Sequence, residues 1–298
     1  MFHRALNDPT GIAACIEEHG VVVVNVLPLP LVKSLIQEFQ NVLHDMGCTK
    51  LDIMDPYTYE HANTYMSRYG IIGAGPVFTK VLNEARLHPH VRQAMASATG
   101  CAPDELEPCF DRLGWMRPVL GPKSEDWSAF ATPPGLHLDV APALYFEEKG
   151  EAGKRLNALA YVEPRDLIKE NNLKDVTMGT HMQAVINLFP NFESCGGFQC
   201  VPGGHHLLPE WYAQNKARLS DVDAGKYVFG KQDYQFCKPV RVPCQPGDMI
   251  IFRADLPHGA LPNQSNMNRA AIFLRYIPRN VFENKTLKRR RALIKRFM

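Results

Sequence analysis

The chain has 298 residues, 45% of them apolar and 21% charged, with a formal net charge of +2. That is the balance of an ordinary globular protein, long enough for one large domain with an all-β core, and no apolar run approaches the length of a membrane span. The first residues lack an apolar secretory run, and the eight cysteines include no C-x-x-C pair, so zinc-site spacing is missing and reduced thiols in a cytoplasmic or similar compartment are expected.

Residues 21–27 form an apolar, β-branched run between Gly20 and Pro28 and read as a strand. A helix is predicted over 31–46, where Leu31, Leu35, Ile36, Phe39, Val42, Leu43 and Met46 recur at helical spacing between Pro30 and Gly47. The stretch 50–76 is polar and aromatic, with Tyr57, Tyr59, Tyr65 and Tyr69. A surface loop is its plainer reading and a lid over a pocket the sharper one. Two short helices, 77–86 and 90–99, break at Pro89, with His88 and His90 as turn imidazoles beside it. A strand over 109–117 ends at Pro118, leaving Arg117 to face either a pocket or solvent.

The run Ala131-Thr132-Pro133-Pro134-Gly135 reads as a turn into a strand carrying His137-Leu138-Asp139. An insertion over 147–181 follows, polar except for a strand-like Asn157-Ala158-Leu159-Ala160-Tyr161-Val162. A structureless loop of that length is unusual inside a domain, so part of it is expected as that strand and part as a flap. In the next strand Gln183, Val185 and Asn187 share one face, which offers a pocket-facing amide at Gln183. Cys195 and Cys200 flank a core strand as packing residues, and 207–236 reads as a helix and an excursion over a barrel mouth. Residues 240–243 and 249–252 read as two strands joined by a tight turn at Gly247-Asp248. The tail 284–298 holds seven basic residues, leaving the rest of the chain at −5. Such a tail can touch nucleic acid or an acidic partner, but a solvated helix or frayed end is the plainer reading.

His137 and Asp139 stand at i and i+2, on one face of a strand. Together with His258, which lies between two apolar runs, they make the two-His, one-carboxylate set that holds non-haem Fe(II) and leaves coordination positions open. An H-x-D pair alone is a weak signal. Arg269 follows His258 by eleven residues at the head of an apolar strand, where a guanidinium could grip a carboxylate bidentately. A lone Arg there would otherwise read as a surface residue. His205 and His206 compete with His258, but no basic residue follows them at a matching distance.

These residues resemble the phytanoyl-CoA dioxygenase family. The resemblance rests on Gln245-Pro246-Gly247-Asp248-Met249-Ile250-Ile251-Phe252, then His258, Asn263-Gln264-Ser265 and Arg269. It rests also on Cys195-Gly196-Gly197-Phe198-Gln199-Cys200-Val201-Pro202-Gly203-Gly204-His205 and on the opening strand after Glu17-Glu18-His19-Gly20, and it covers most of 12–278. It implies one domain over 1–298, mostly β with flanking helices around a double-stranded β-helix (jelly-roll, cupin-like) core. It further implies an enzyme using Fe(II), 2-oxoglutarate and O2 on a small-molecule substrate. By the same resemblance His137, Asp139 and His258 match the iron ligands, Arg269 the 2-oxoglutarate anchor, and Ser265 its assistant. Two departures stand out: Leu138 where the family often has Gln, and Pro-Gly-Gly-His in place of Pro-Gly-Ser-His. A β-helix that has lost activity and a zinc hydrolase are the rivals. Against them stand the complete ligand set and the basic anchor.

Overall fold

Val21, Val22, Val23 and Val24 are all fully buried, so the strand they form is covered on both faces, as a continuous β-branched run requires. The computed structural model describes residues 1–62, 70–72, 77–121, 123, 125–128, 135–139, 142–143, 182–219, 227–233, 238–279, 284–296 and 298. Within these, the strands are β1 (His3–Arg4), β2 (Val21–Asn25), β3 (Ile71–Ile72), β4 (Leu106–Met116), β5 (Gly135–Leu138), β6 (Met182–Asn187), β7 (Gly197–Cys200), β8 (Tyr227–Val228), β9 (Val240–Arg241), β10 (Asp248–Arg253), β11 (His258–Leu261) and β12 (Arg269–Pro278). The helices are α1 (Pro9–His19), α2 (Leu29–Asp45), α3 (Lys80–Arg86), α4 (Pro89–Thr99), α5 (Gly204–Leu219) and α6 (Asn284–Lys295).

The strands form two sheets, one ordered β1-β2-β10-β6-β12-β4-β3 and one ordered β8-β5-β11-β7-β9. Every pairing is antiparallel except β1 with β2. In the larger sheet Phe252 stands opposite Gln183, and Gln183 opposite Arg275. Ile250, Val185 and Phe273 make the next row. Directly opposed residues share a face, and this face looks at the smaller sheet, since Phe252 packs on Phe198 of β7 with ring centroids 4.7 Å apart. The other face, with Ile251, Ala184 and Leu274, is buried beneath the helices. There the Tyr276 hydroxyl donates to the Arg86 carbonyl of α3 at 2.6 Å. Two facing, almost wholly antiparallel sheets with helices on the larger one form the jelly-roll core that the family resemblance implies.

The smaller sheet is oriented by its own hydrophobic side. Leu136 and Leu138 of β5 are buried in one cluster with Leu208, Trp211 and Tyr212 of α5. Because strand side chains alternate, His137 between them must turn to the opposite face, toward the larger sheet. Leu138 therefore has a physical reason to be apolar, since it belongs to the layer under α5.

Several expectations change. The strands around Gly247-Asp248 do not pair with each other: β9 pairs with β7 in the smaller sheet, while β10 lies between β2 and β6 in the larger. Gly247, at φ 86°, turns the chain from one sheet to the other. Pro89 opens α4 rather than only ending α3, because its missing N–H costs nothing in a first turn. The surface-loop reading of 50–76 fails at Tyr59, which is 2% exposed with its hydroxyl donating to the Ile53 carbonyl at 2.7 Å. It holds at Tyr57, which is 60% exposed. Tyr65, Tyr69 and the insertion 147–181 with its strand-like segment lie outside the described residues. The basic tail forms α6, tied to Glu107 by Arg291 at 2.5 Å, and Arg279 just before it reaches the same carboxylate at 3.0 Å. Among the described residues no helix is long and apolar enough to cross a membrane.

Candidate metal centre

His258 opens β11 directly opposite His137 of β5, and their ring centroids are 4.6 Å apart. Asp139 lies one residue past the end of β5 and swings its carboxylate between them. Its Oδ1 is 3.4 Å from His137 Nε2 and 3.9 Å from His258 Nε2. One ligand atom from each residue falls within 4.8 Å of the others. Donors about 2.1 Å from one ion at right angles stand about 3 Å apart, so the three donors would have to draw together to hold one metal. Two imidazoles and one carboxylate on one side of an ion are the donor set of an open non-haem iron site.

The tautomer is prepared. His258 Nδ1–H donates to the Leu256 carbonyl at 2.8 Å, which leaves the Nε2 lone pair facing Asp139. Burial, aided by His137 and opposed by Asp139, pulls His258 down to about 4, so the ring is neutral and able to ligate near pH 7. For Asp139 burial alone would push the carboxyl up. The hydrogen bond from His137, together with the nearby His258 and the Arg275 guanidinium, outweighs it and holds the group well below the usual carboxylate range.

Other contacts sharpen the site. Gln183 Nε2 donates to Asp139 Oδ2 at 2.7 Å, crossing from the larger sheet to the smaller. Phe252 lies 4.6 Å and Phe198 5.9 Å from the His258 ring, centroid to centroid, and wall it with apolar surface. Gly259 admits no side chain, because a Cβ there would lie 1.6 Å from the Gly135 carbonyl oxygen. The aromatic wall and this close approach were missed in sequence. Phe198 and Cys200 at period 2, and a glycine directly after a ligand-type His, are the signals that carry them.

Arg269 is 5% exposed and directs Nη1 to the carbonyls of Leu261 and Cys195 at 3.2 and 3.4 Å. Burial lowers its guanidinium to about 10. Among the described residues no carboxylate lies within ion-pair distance of it. Ser265, buried nearby, donates to Asn263 Oδ1 at 2.7 Å and accepts from the Met267 amide at 3.1 Å, and its Oγ is 3.4 Å from Cys195 Sγ. Arg117 is 9% exposed and donates to the Tyr59 carbonyl at 3.3 Å, away from solvent. His205 and His206 both direct Nε2 to the Glu17 carbonyl of α1, at 3.0 and 2.8 Å, so neither joins the cluster. Cys195 and Cys200 are fully buried, as packing residues should be.

Comparison with known proteins agrees with this picture. The family model for phytanoyl-CoA dioxygenase (PhyH) matches residues 174–271, which include His258 and Arg269 but not His137 or Asp139. A putative phytanoyl-CoA dioxygenase of Dictyostelium discoideum is 26% identical over 239 residues, 80% of this chain, and the match spans 65% of that protein's length. Among solved structures, the non-heme alpha ketoglutarate dependent epimerase SnoN from nogalamycin biosynthesis superposes with a TM-score of 0.54 at 18% identity, over 91% of this chain and 84% of that one. EctD from S. alaskensis with bound Fe superposes with a TM-score of 0.52 at 16% identity, over 90% of this chain and 76% of that one. At such identities the superpositions speak for the fold alone. The chain is thus similar to the phytanoyl-CoA dioxygenase (PhyH) family, by a family-model match over residues 174–271 and by the Dictyostelium relative.

Proposed function

We propose that this protein is an Fe(II)- and 2-oxoglutarate-dependent dioxygenase that hydroxylates a C–H bond of a small organic molecule, with His137, Asp139 and His258 holding the iron and Arg269 anchoring 2-oxoglutarate. The observation that carries the reading is the pairing of an open three-donor cluster with a buried guanidinium that has no acidic partner among the described residues. Leu261, which Arg269 touches, is three residues along β11 from His258, a depth of about 10 Å. A dicarboxylate with a carbon backbone of roughly 5 Å, ligating at one end and ion-paired at the other, suits that separation.

When bound, iron, 2-oxoglutarate and O2 together supply oxidation of an unactivated C–H bond with release of succinate and carbon dioxide. The protein's part is placement. His258 directs its Nε2 lone pair, and His137 its Nε2, to the side where Asp139 lies, so the opposite side stays open to cosubstrate and oxygen. Phe198 and Phe252 keep water from His258, which strengthens the charge interactions inside. Arg269 orients a carboxylate by charge-assisted hydrogen bonds at the closed end, and Ser265 shapes the turn beside it.

Anaerobic titration with Fe(II) and then 2-oxoglutarate tests the reading. A weak visible charge-transfer band should grow with 2-oxoglutarate and vanish in His137→Ala, Asp139→Ala and His258→Ala. A zinc hydrolase or a catalytically silent β-helix would give no band, and either result would end the proposal. Succinate release against a metabolite panel then identifies the substrate.

A further inference from the structure

We propose that Gln183 is a positioning residue that holds Asp139 as a one-oxygen metal ligand. This rests on the metal reading given above but assigns a role to a residue that is not itself a ligand. The two carboxylate oxygens of Asp139 face different partners. Oδ1 looks at both imidazole nitrogens, at 3.4 and 3.9 Å, while Oδ2 accepts the Gln183 amide at 2.7 Å.

Asp139 lies beyond the end of β5, and its side chain is 31% exposed, so neither a strand ladder nor tight packing fixes its carboxylate plane. Gln183 is only 6% exposed and sits in the middle of the larger sheet, between Phe252 on β10 and Arg275 on β12. Its amide is therefore held by its neighbours and can hold Asp139 in turn.

The consequence is a count of open positions. An octahedral ion has six places. Two imidazoles and one carboxylate oxygen would fill three, and a chelating 2-oxo acid two, which would leave one for oxygen. Were Asp139 to swing onto both oxygens, that last place would close. The amide occupies Oδ2 from the facing sheet and keeps the carboxylate turned.

The test uses Mn(II) alone on the full-length protein, so no substrate is needed. Gln183→Met keeps the length of the side chain and removes the donor. Outer-shell partners of ligating carboxylates are typically worth 10–100-fold in metal affinity, so Gln183→Met should bind Mn(II) at least about 10-fold more weakly while its metal-free melting temperature stays at the parent value. Infrared difference spectra of metal-loaded protein labelled with ¹³C at aspartate carboxyls should show a wide separation of the two carboxylate stretches in the parent and a narrower one in Gln183→Met. Should Gln183→Met fail to fold, Gln183→Asn takes its place, one methylene too short to make the bond. A narrow separation in the parent, or an unchanged Mn(II) affinity in the variant, overturns the role. So does a variant that loses metal-free stability but not metal affinity. A parent that binds no Mn(II), or a His258→Ala that binds it equally well, would instead overturn the metal reading itself.

Discussion

A guanidinium at 5% exposure, with the carbonyls of Leu261 and Cys195 as its hydrogen-bond partners among the described residues, carries an electrostatic cost that a bound carboxylate would offset. Arg269→Ala should therefore weaken 2-oxoglutarate by about 2–5 kcal/mol, with Mn(II) affinity held near the parent value. Equilibrium titration of each ligand separates the two effects, and an unchanged 2-oxoglutarate affinity would move the anchor to Arg275 or Arg117. Gly259 is a second point of failure at this scale. Its missing Cβ leaves room for the Gly135 carbonyl beside the paired His258 and His137. Gly259→Ala must push β11 from β5, an overpacking typically worth about 1–3 kcal/mol, and should lower both melting temperature and Mn(II) affinity. If neither moves, the strands are less tightly matched than the 1.6 Å approach implies.

At the level of elements, sequence period and residue type carried most of the architecture. The valine run of β2, the apolar spacing of α2 and the H-x-D of β5 each announce themselves locally. Partner choice did not. A glycine turn between two short apolar runs looks the same whether the runs pair with each other or each joins a different sheet, and Gly247 does the second. The Gln183–Asp139 bond spans 44 residues, so period could give the direction of the amide but not its acceptor. Tyr59 belongs to a polar stretch by sequence, and only the Ile53 carbonyl and Asn268 amide around its hydroxyl show why a phenol sits in the core there. The terminal helix α6 offers a prediction of its own. Glu107 is 5% exposed and takes both Arg279 and Arg291, while Lys285 and Lys288 on α6 are exposed. Glu107→Ala should loosen α6, so trypsin should cut there faster than in the parent. An unchanged rate of cleavage would mean that Leu287, buried at 7% exposure, is anchor enough.

For the whole molecule, the proposed metal reading links metal binding to folding through the geometry of the centre. The ligands come from β5, β11 and the residue after β5, and the amide that steadies them comes from the facing sheet. An unfolded chain offers no such cluster, so an ion that binds the folded state should raise its stability by about 2.7 kcal/mol at a hundredfold excess over the dissociation constant. The melting temperature with and without Mn(II) measures this. The rise should disappear in His258→Ala, and a rise that survives there would place the metal elsewhere.

The shortness of β11 has one more consequence. It begins at His258 and ends at Leu261, so on the proposed reading the distance from metal donor to buried guanidinium is counted in strand residues and would work as a ruler for acids. Removing or adding one methylene changes the reach of an extended chain by about 1.3 Å, too much for a rigid ion pair to absorb. The four-carbon and six-carbon homologues of 2-oxoglutarate should fit this spacing worse, one falling short and the other crowding the metal. Lengthening β11 by one residue would not simply retune the ruler. It would also turn every later side chain of the strand to the opposite face, so on the proposed reading the choice of acid and the register of the smaller sheet would be set by the same four residues.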